Sequence, residues 1–305
     1  MSDVIALIDI GSNAARCIVA RVFPGLGFEV LYQDRLQTRL GSGQGGVLPQ
    51  GAVRETLAFV RHFLRMARKQ YQPRVMAVAT AAVREAVNRD DLLGTLERNE
   101  GVTVQVLSGE EEARLGALAA LRSLSFRTGV VIDLGGGSLQ LTHIREGRVA
   151  ATASIPLGAV RTTRRFFTAD PPTKRELTGL RKEVQRLVAP RLPSARDARE
   201  LIGLGGTVRA LASMHLSTLN GSRPSRQGFC LRRADIDRLR SCLEGLPLRD
   251  RRRLPGLDAE RADIILAGAV VVEEVMSIGD YSTLTVCKGG VRHGLLLRET
   301  FNERL

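Results

Sequence analysis

Two stretches, IDIGSNAARC (Ile8–Cys17) and IDLGGGSLQL (Ile132–Leu141), follow one plan in separate halves of the chain. In each, an apolar strand carries an aspartate near its end and passes through a turn of small residues into a second strand. Such turns let backbone amides approach an anion closely, and Asp9 and Asp133 suit a hydrated divalent ion. The near-repeat predicts two similar lobes, each with a phosphate-binding turn.

Composition narrows the class of partner. The chain has 305 residues, of which 44% are hydrophobic, enough for two domains with real cores. Its formal net charge is +13, almost all from arginine, which favours polyanions such as polyphosphate, nucleotides, nucleic acid or an anionic membrane surface. Only 4% of residues are aromatic and none is tryptophan. Nucleic acid is disfavoured, because base stacking needs exposed aromatic rings.

Cysteine usage and the N-terminus bear on location. The four cysteines form no CxxC pair, which predicts a reducing compartment without disulfides or a zinc site. The opening MSDVIALIDIG lacks the pattern of a signal peptide. The apolar stretch Ile264–Val272 is too short to cross a bilayer. We expect a cytoplasmic protein that does not bind membranes.

Strand and helix patterns alternate along the chain and predict the α/β class. Apolar residues repeat at steps of four and three between Ala52 and Tyr71, which predicts one buried face of a helix. The segment GLGGTVRALA (Gly203–Ala212) predicts a third glycine turn that opens a helix, whose N-terminus attracts anions. A plain tight turn is the alternative for any one of these loops.

Seven motifs occur in the order of one known family. They are IDIGSNAAR, ATAAVREAVN, LSGEEEARL, VIDLGGGSLQL, IPLGAVR, GLGGTVRALA and ERADIILAG. Together they resemble the exopolyphosphatase and guanosine pentaphosphate phosphohydrolase (Ppx/GppA) family, in its short two-domain form, from Asp9 to about Gly294. The resemblance implies two actin-like (ribonuclease H-like) domains with a cleft between them, residues 1–124 and 125–305. The last helix, from about residue 295, could pack on the first domain.

The resemblance implies a phosphohydrolase that releases terminal phosphate from inorganic polyphosphate, with guanosine pentaphosphate, an alarmone of the stringent response, as a second candidate. Glu111 matches the residue that activates water for in-line attack, a task suited to a carboxylate. Ser108 and Glu111 also fit a capping box at a helix start. Glu110 and Glu112 are expected to be solvated or neutral in packing.

Arg84 matches a second catalytic position, because a guanidinium can balance charge that develops on phosphoryl oxygens. The alternative is a helix-surface arginine near Glu85. Asp9 and Asp133 match metal positions, with Mg²⁺ or another divalent ion as the expected cofactor and K⁺ as a further candidate. The residues matched to substrate phosphate binding are Gly11, Ser12, Asn13, Gly135, Gly136, Gly137, Ser138, Gly205, Gly206 and Thr207.

Three positions depart from the family pattern. Gln140 stands where an acidic residue is usual, and Ala14 and Ala81 stand where small hydroxyl residues are common. Gln140 is expected to modulate the site, since it cannot take a proton or add negative charge. These losses motivate the alternative of a catalytically weakened polyphosphate or alarmone sensor of the same fold. An actin-like kinase is disfavoured, because SGEEEAR fits a water nucleophile.

The protein is expected to form a homodimer. Its arginine clusters could form a track for a polyanion that leads from the cleft. Arginines that could guide a long substrate occur at Arg161, Arg164 and Arg165 and again at Arg249–Arg253. Spaced arginines would give salt-sensitive binding, by analogy with nucleic acid. Each cluster could equally be a solvated face.

Overall fold

The computed structural model describes residues 3–193, 198–219 and 225–302. The chain forms two compact units, Met1–Leu115 with Val291–Leu305, and Gly116–Gly290. The change-over at Leu115/Gly116 lies within a helix, where the sequence analysis set the domain boundary after residue 124. The C-terminal helix belongs to the first unit.

Strands and helices alternate through both units. The strands are β1 Asp3–Ile10, β2 Ala15–Phe23, β3 Gly27–Leu36, β4 Arg74–Ala79, β5 Val104–Val106, β6 Gly129–Leu134, β7 Leu139–Arg145, β8 Arg148–Ile155, β9 Glu200–Leu204, β10 Cys230–Arg232 and β11 Thr283–Val286. The α-helices are α1 Gln50–Tyr71, α2 Ala81–Arg84, α3 Arg89–Glu100, α4 Gly109–Ser123, α5 Ala159–Phe166, α6 Lys174–Val188, α7 Gly205–Ser217, α8 Arg233–Glu244, α9 Leu248–Arg251, α10 Ile265–Ile278 and α11 Val291–Phe301. Short 3₁₀ helices occupy Leu40–Ser42, Ala189–Arg191 and Ala259–Arg261.

The first unit is built on a five-stranded sheet in the order β3-β2-β1-β4-β5. β1, β2 and β3 pair antiparallel, whereas β4 and β5 run parallel to β1. The central strand β1 is buried from Ile5 to its end, as expected for a strand covered on both faces. α1 turns Val53, Val60, Leu64 and Ala67 into the core, so the helix predicted over Ala52–Tyr71 is present.

The second unit is built on a six-stranded sheet in the order β10-β11-β9-β6-β7-β8. β6, β7 and β8 form an antiparallel meander, β9 runs parallel to β6, and β11 runs parallel to β9. Apart from the edge strand β10, the order and directions repeat those of the first sheet. The predicted α/β fold with two actin-like units is confirmed, and the repeated motifs of the sequence form equivalent central hairpins.

The buried helix of the second unit is α10, where Ile265–Val272 are all buried within the main hydrophobic cluster. This helix contains most of the longest apolar stretch in the sequence. Within the described ranges, every helix is too short or too polar to span a lipid bilayer.

Candidate active site

The two repeated turns share one internal hydrogen bond. The Gly11 amide donates to Ala14 O at 3.2 Å, and the Gly135 amide donates to Ser138 O at 3.0 Å. Each bond closes a turn between antiparallel strands, β1–β2 in the first unit and β6–β7 in the second. The repetition found in the sequence is therefore a repetition of backbone geometry.

The turn of the first unit is held through its carbonyl groups. Gly41 N donates to Ser12 O at 2.7 Å, and Arg39 N donates to Asn13 O at 3.1 Å. Ser12 Oγ accepts from Ala82 N, at the start of α2, at 3.2 Å. Within the described part of the chain, no acceptor takes the backbone amides of Ser12 and Asn13. These two amides are donors suited to an oxyanion.

The turn of the second unit is held in the same manner, by α5. The first two amides of that helix donate to Gly135 O and Gly136 O, each at 2.9 Å. Arg161 Nε donates to Gly137 O at 2.7 Å. The amides of Gly136 and Gly137 have no acceptor among residues 3–193, 198–219 and 225–302. Arg161, which the sequence analysis placed on a substrate track, thus supports the turn.

Two buried polar side chains near the first turn lack hydrogen-bond partners among the described residues. They are Asn13, through both Oδ1 and Nδ2, and Thr38, through Oγ1. Their residues are only 6% and 3% exposed. Buried polar groups in folded proteins are nearly always bonded, so both side chains suit contact with a bound ligand or water. Thr38 was not identified from the sequence, because a lone threonine after a strand carries no motif.

The third glycine turn lies against the end of β6. Gly205 adopts a positive φ of 95° and bridges to Leu134. A Cβ at Gly205 would lie 2.8 Å from Asp133 Oδ1, so only glycine fits there. At Gly206, a Cβ would collide with the guanidinium of Arg261. The structure therefore brings the predicted residues Asp133, Gly205 and Gly206 together, and adds Arg261.

Two glycines, Gly116 and Gly290, lie beside the carboxylate of Asp133. Cβ atoms built at Gly116 and Gly290 would lie 3.7 and 3.8 Å from Asp133 Oδ2. Side chains at these glycines would occupy the space beside the carboxylate. Mg²⁺ keeps several water ligands and takes one or two carboxylates from a protein. The surroundings of Asp133 fit a hydrated ion of this kind.

Asp9, by contrast, already lies between two arginines. Arg292 Nε is 3.7 Å and Arg16 Nη1 is 4.0 Å from Asp9 Oδ2, and the Asp9 side chain is 9% exposed. Burial lowers the pKa of the Arg292 guanidinium, and the Asp9 carboxylate opposes that shift. With its charge balanced by two cations, Asp9 fits a metal less well than Asp133 does. Among the described residues, no group of three His, Cys, Asp or Glu side chains is arranged to hold a metal.

Gln140 is buried in the β6–β7 hairpin, with 3% of its surface exposed. Its Nε2 donates to Ser138 Oγ at 2.7 Å and lies 3.3 Å from Ser154 Oγ. Ser138 belongs to the turn predicted to bind phosphate, so Gln140 orients a side chain of that turn. The predicted modulating residue is thus in direct contact with the predicted phosphate site.

Glu111 forms the capping box that the sequence allowed. Ser108 N donates to Glu111 Oε2 at 2.7 Å, and Glu111 N donates to Ser108 Oγ at 3.1 Å. Gln105 Nε2 also donates to Glu111 Oε1 at 3.2 Å. Each carboxylate oxygen retains a further lone pair. The cap therefore fixes the carboxylate at the positive end of α4 and leaves it able to accept a proton.

Arg84 is anchored beside the same helix. Its Nη1 donates to Leu107 O at 2.6 Å and to Glu112 Oε1 at 2.5 Å. The Glu112 side chain is 8% exposed, so the expectation that Glu112 is solvated or neutral in packing is wrong. Glu110 is exposed and pairs with Arg114 at 2.9 Å, as a solvated residue of the first turn would.

The second arginine cluster does not form a continuous exposed track. Arg251 is 3% exposed and pairs with Asp170 at 2.6 Å. Its Nε donates to Leu246 O at 2.9 Å. The interpretation of Arg249–Arg253 as a polyanion track is therefore wrong at its centre, because Arg251 is a core residue. Arg165, in the first cluster, pairs with Glu183 at 2.9 Å.

In both sheets, which share one topology, the first strand has an aspartate one residue before its end and is followed by a turn with amides that are unbonded within the described ranges. These features define an actin-like protein of the phosphate-handling class. The Ppx/GppA phosphatase family matches residues 18–303. The chain belongs to that family. The predicted family and the predicted enzyme class, a hydrolase, are confirmed.

Relatives and solved structures agree with this assignment. The chain is 30% identical to exopolyphosphatase 1 of Mycobacterium leprae, over 98% of this chain and 90% of that protein. It is 32% identical to exopolyphosphatase 2 of Mycobacterium tuberculosis, over 89% of each. The crystal structure of the Aquifex aeolicus Ppx/GppA family member superimposes with a TM-score of 0.84, at 27% identity and over the whole of both chains.

Proposed function

We propose that this protein is an exopolyphosphatase that releases terminal phosphate from inorganic polyphosphate. The proposal depends on the two glycine turns. Their carbonyl groups accept hydrogen bonds from the protein, whereas two backbone amides in each turn have no acceptor among the described residues. Such amides bind oxyanions without regard to side-chain identity. The names of the mycobacterial relatives support polyphosphate as the substrate.

In the proposed reaction, Glu111 accepts a proton from the attacking water as the oxygen approaches the terminal phosphorus. The carboxylate must be ionised to do so. Hydrogen bonds from Ser108 N and Gln105 Nε2 hold it in one orientation. A fixed base loses less entropy on reaching the transition state than a mobile one.

Arginine and amide donors would balance the charge of the phosphoryl group. The two hydrogen bonds that the Arg84 side chain makes to described residues both go through Nη1, which fixes the plane of its guanidinium. A preorganised cation stabilises developing charge better than one that must reorient. Arg84 is accordingly the residue proposed to stabilise the transition state.

In the second unit, Asp133 is the residue proposed to hold a divalent ion. When bound there, Mg²⁺ would supply positive charge to phosphoryl oxygens. Asp9 would act instead through its arginine pair, keeping Arg16 and Arg292 in place beside the first turn. This division of labour between the two aspartates differs from the symmetric roles expected from the sequence.

The test is phosphate release from long-chain polyphosphate, tripolyphosphate and guanosine pentaphosphate, each with Mg²⁺ and with a chelator. Glu111→Gln should slow release by about 10²–10⁴-fold, and the matched control Glu110→Gln should not, because Glu110 is an exposed residue paired with Arg114. Release by Glu111→Gln at the parent rate would overturn the catalytic assignment. Tight polyphosphate binding without turnover would favour the sensor alternative, for which the buried Gln140 contact is the motivating observation.

A further inference from the structure

A second basic site lies on the first unit, on the outer face of α1. Arg61, Arg65 and Arg68, together with Asn99 and Glu100 of α3, line an open pocket of about 580 Å³. The three arginines recur at steps of four and three, so they project from one side of the helix. The sequence analysis did not single out this group.

Glu100 organises two of the three guanidiniums. Arg61 Nε pairs with Glu100 Oε1 at 2.7 Å, and Arg68 Nη2 donates to Glu100 O at 2.6 Å. The contact through Nε leaves the terminal amino groups of Arg61 as further donors. Arg65 is exposed and has no partner among the described residues. The pocket thus carries three positive charges against one negative charge, with part of the array already oriented.

The row of arginines is longer than a single phosphate. Arg61 and Arg68 are seven residues apart, which corresponds to about 10 Å along a helix. A linear anion with a charge on each repeating unit matches such a row better than a compact oxyanion does. No aromatic residue lines the pocket, so it lacks the stacking surface with which proteins hold single-stranded nucleic acid.

The pocket is far from the phosphate-binding turn of the same unit. α1 follows the loop whose Gly41 bonds to Ser12 and ends just before β4, whose first residue Arg74 pairs with Ile5 of β1. α1 therefore runs away from the turn, and Arg65 lies about 22 Å along the helix from Gln50. A short oligophosphate held at the turn could not also reach the pocket.

From this geometry we infer that Arg61, Arg65 and Arg68 form a second binding site for inorganic polyphosphate, one that engages long chains only. The inference rests on the proposed function for the identity of the ligand. Binding at the pocket would raise the affinity for long chains, because the second contact of a chain that is already bound is intramolecular and has a high effective concentration. It would leave the handling of tripolyphosphate unchanged.

The test compares Arg65→Gln and Arg65→Glu with Arg98→Gln, which makes the same charge change on an exposed residue of α3 outside the pocket lining. Binding of long-chain polyphosphate is measured by calorimetry in a chelator, so that turnover is not needed. We expect about threefold weaker binding for Arg65→Gln, within the range for an exposed ion pair, and a larger loss for Arg65→Glu. Arg98→Gln should bind like the parent.

The dependence on salt and on chain length sharpens the result. Arg65→Gln should lower the slope of log affinity against log salt by about one, by analogy with phosphate contacts in nucleic acid. Where turnover is observed, its KM should rise for long chains and stay constant for tripolyphosphate. Equal binding by Arg65→Gln and the parent would overturn the inference, as would equal losses in Arg65→Gln and Arg98→Gln. Binding of single-stranded RNA with the same affinity and the same dependence on Arg65 would also overturn it.

The two proposals fail separately. Loss of binding in Arg65→Gln without any phosphate release would sustain the second site and reject the exopolyphosphatase activity. Phosphate release that depends on Glu111, together with polyphosphate binding that does not change in Arg65→Gln, would support the exopolyphosphatase activity and reject the second site.

Discussion

Gln140 lies directly opposite Asp133 in the β6–β7 pair, at the position that Arg16 occupies opposite Asp9 in the β1–β2 pair. The equivalent cross-strand neighbour is thus a cation in one unit and a neutral amide in the other. Arg16 comes within 4.0 Å of Asp9, whereas Gln140 donates to the hydroxyl of Ser138. The cation beside Asp9 makes that residue the weaker candidate for the carboxylate proposed to hold a divalent ion.

The first prediction concerns Gln140→Glu. A carboxylate there would be buried opposite Asp133, and the two like charges would repel each other. In a chelator, we expect the free energy of unfolding to fall by about 1 kcal/mol, which corresponds to a Tm lower by about 2–4 °C. Mg²⁺ should recover this loss and raise phosphate release above the parent rate. Thermal unfolding and phosphate assays check both points.

Gln140→Leu is the control for Gln140→Glu, because it removes the Nε2 donor of Gln140 without adding charge. Its loss of Tm should not respond to Mg²⁺. If Mg²⁺ shifts the Tm of Gln140→Glu no more than that of the parent, the assignment of a metal to this hairpin is wrong.

The second prediction separates the two roles of Glu111. Ser108→Ala removes one half of the capping box and should cost about 1 kcal/mol of stability, with most activity retained. Glu111→Gln keeps an oxygen that can accept from Ser108 N, and so should cost less stability. It should nevertheless lower the rate by about 10²–10⁴-fold, the usual contribution of a general base. A purely structural Glu111 would give parallel losses of activity in the two variants.

The third prediction concerns the ion pair of Arg84 and Glu112. Arg84→Met would leave a nearly buried carboxylate without its cation, which we expect to cost about 2 kcal/mol. The double variant Arg84→Met/Glu112→Gln should recover part of that stability and none of the activity. Urea unfolding and phosphate release measure the two effects. Recovery of activity in the double variant would show that Arg84 serves only to neutralise Glu112.

The fourth prediction compares the two aspartates. Asp9→Asn leaves the partly buried Arg16 and Arg292 without their shared carboxylate, so we expect a lower Tm with or without Mg²⁺. Asp133→Asn should remove the Mg²⁺ dependence of both Tm and activity. Differential scanning fluorimetry across a Mg²⁺ titration distinguishes them. Identical profiles for the two variants would contradict the division of labour.

The fifth prediction is a pH dependence in the second unit. The hydroxyl and amide of Thr168, with the Thr173 amide, donate to Glu176 and lower its pKa to about 2. A lowered folded-state pKa stabilises the fold above the unfolded pKa near 4.5 and loses that contribution as pH falls towards 2. The Tm of the parent should therefore exceed that of Glu176→Gln at pH 6, by a margin that shrinks below about pH 4.5. A margin independent of pH would reject the linkage.

The elements that the sequence predicted correctly are those whose pattern lies within one short segment of the chain. The hairpins of β1–β2 and β6–β7, the helix α1 and the glycine turn before α7 each carry their own signal of apolar period and small residues. The capping box of Ser108 and Glu111 is likewise a four-residue pattern, and the structure contains it. The family resemblance then fixed the order of these pieces.

Long-range partners were not predictable in this way. Glu112 is buried because Arg84 reaches it from α2, and nothing in SGEEEAR identifies which of its three glutamates meets that arginine. Arg292 reaches Asp9 from the other end of the chain. Arg251 is buried and pairs with Asp170, although a run of five residues that contains four arginines predicts an exposed basic surface. Each error comes from a contact between segments that a linear pattern does not connect.

The amide-presenting turns also bear on how such a chain tolerates change. The contacts proposed between these turns and an anion come from the main chain, which substitution at Ala14 or Gln140 leaves in place. Substitutions at the flanking side chains could therefore change the turnover rate and the metal preference during evolution, while the backbone amides of the turns stay in place. Relatives with divergent turn sequences would then share a capacity to hold phosphate long after their turnover rates had drifted apart.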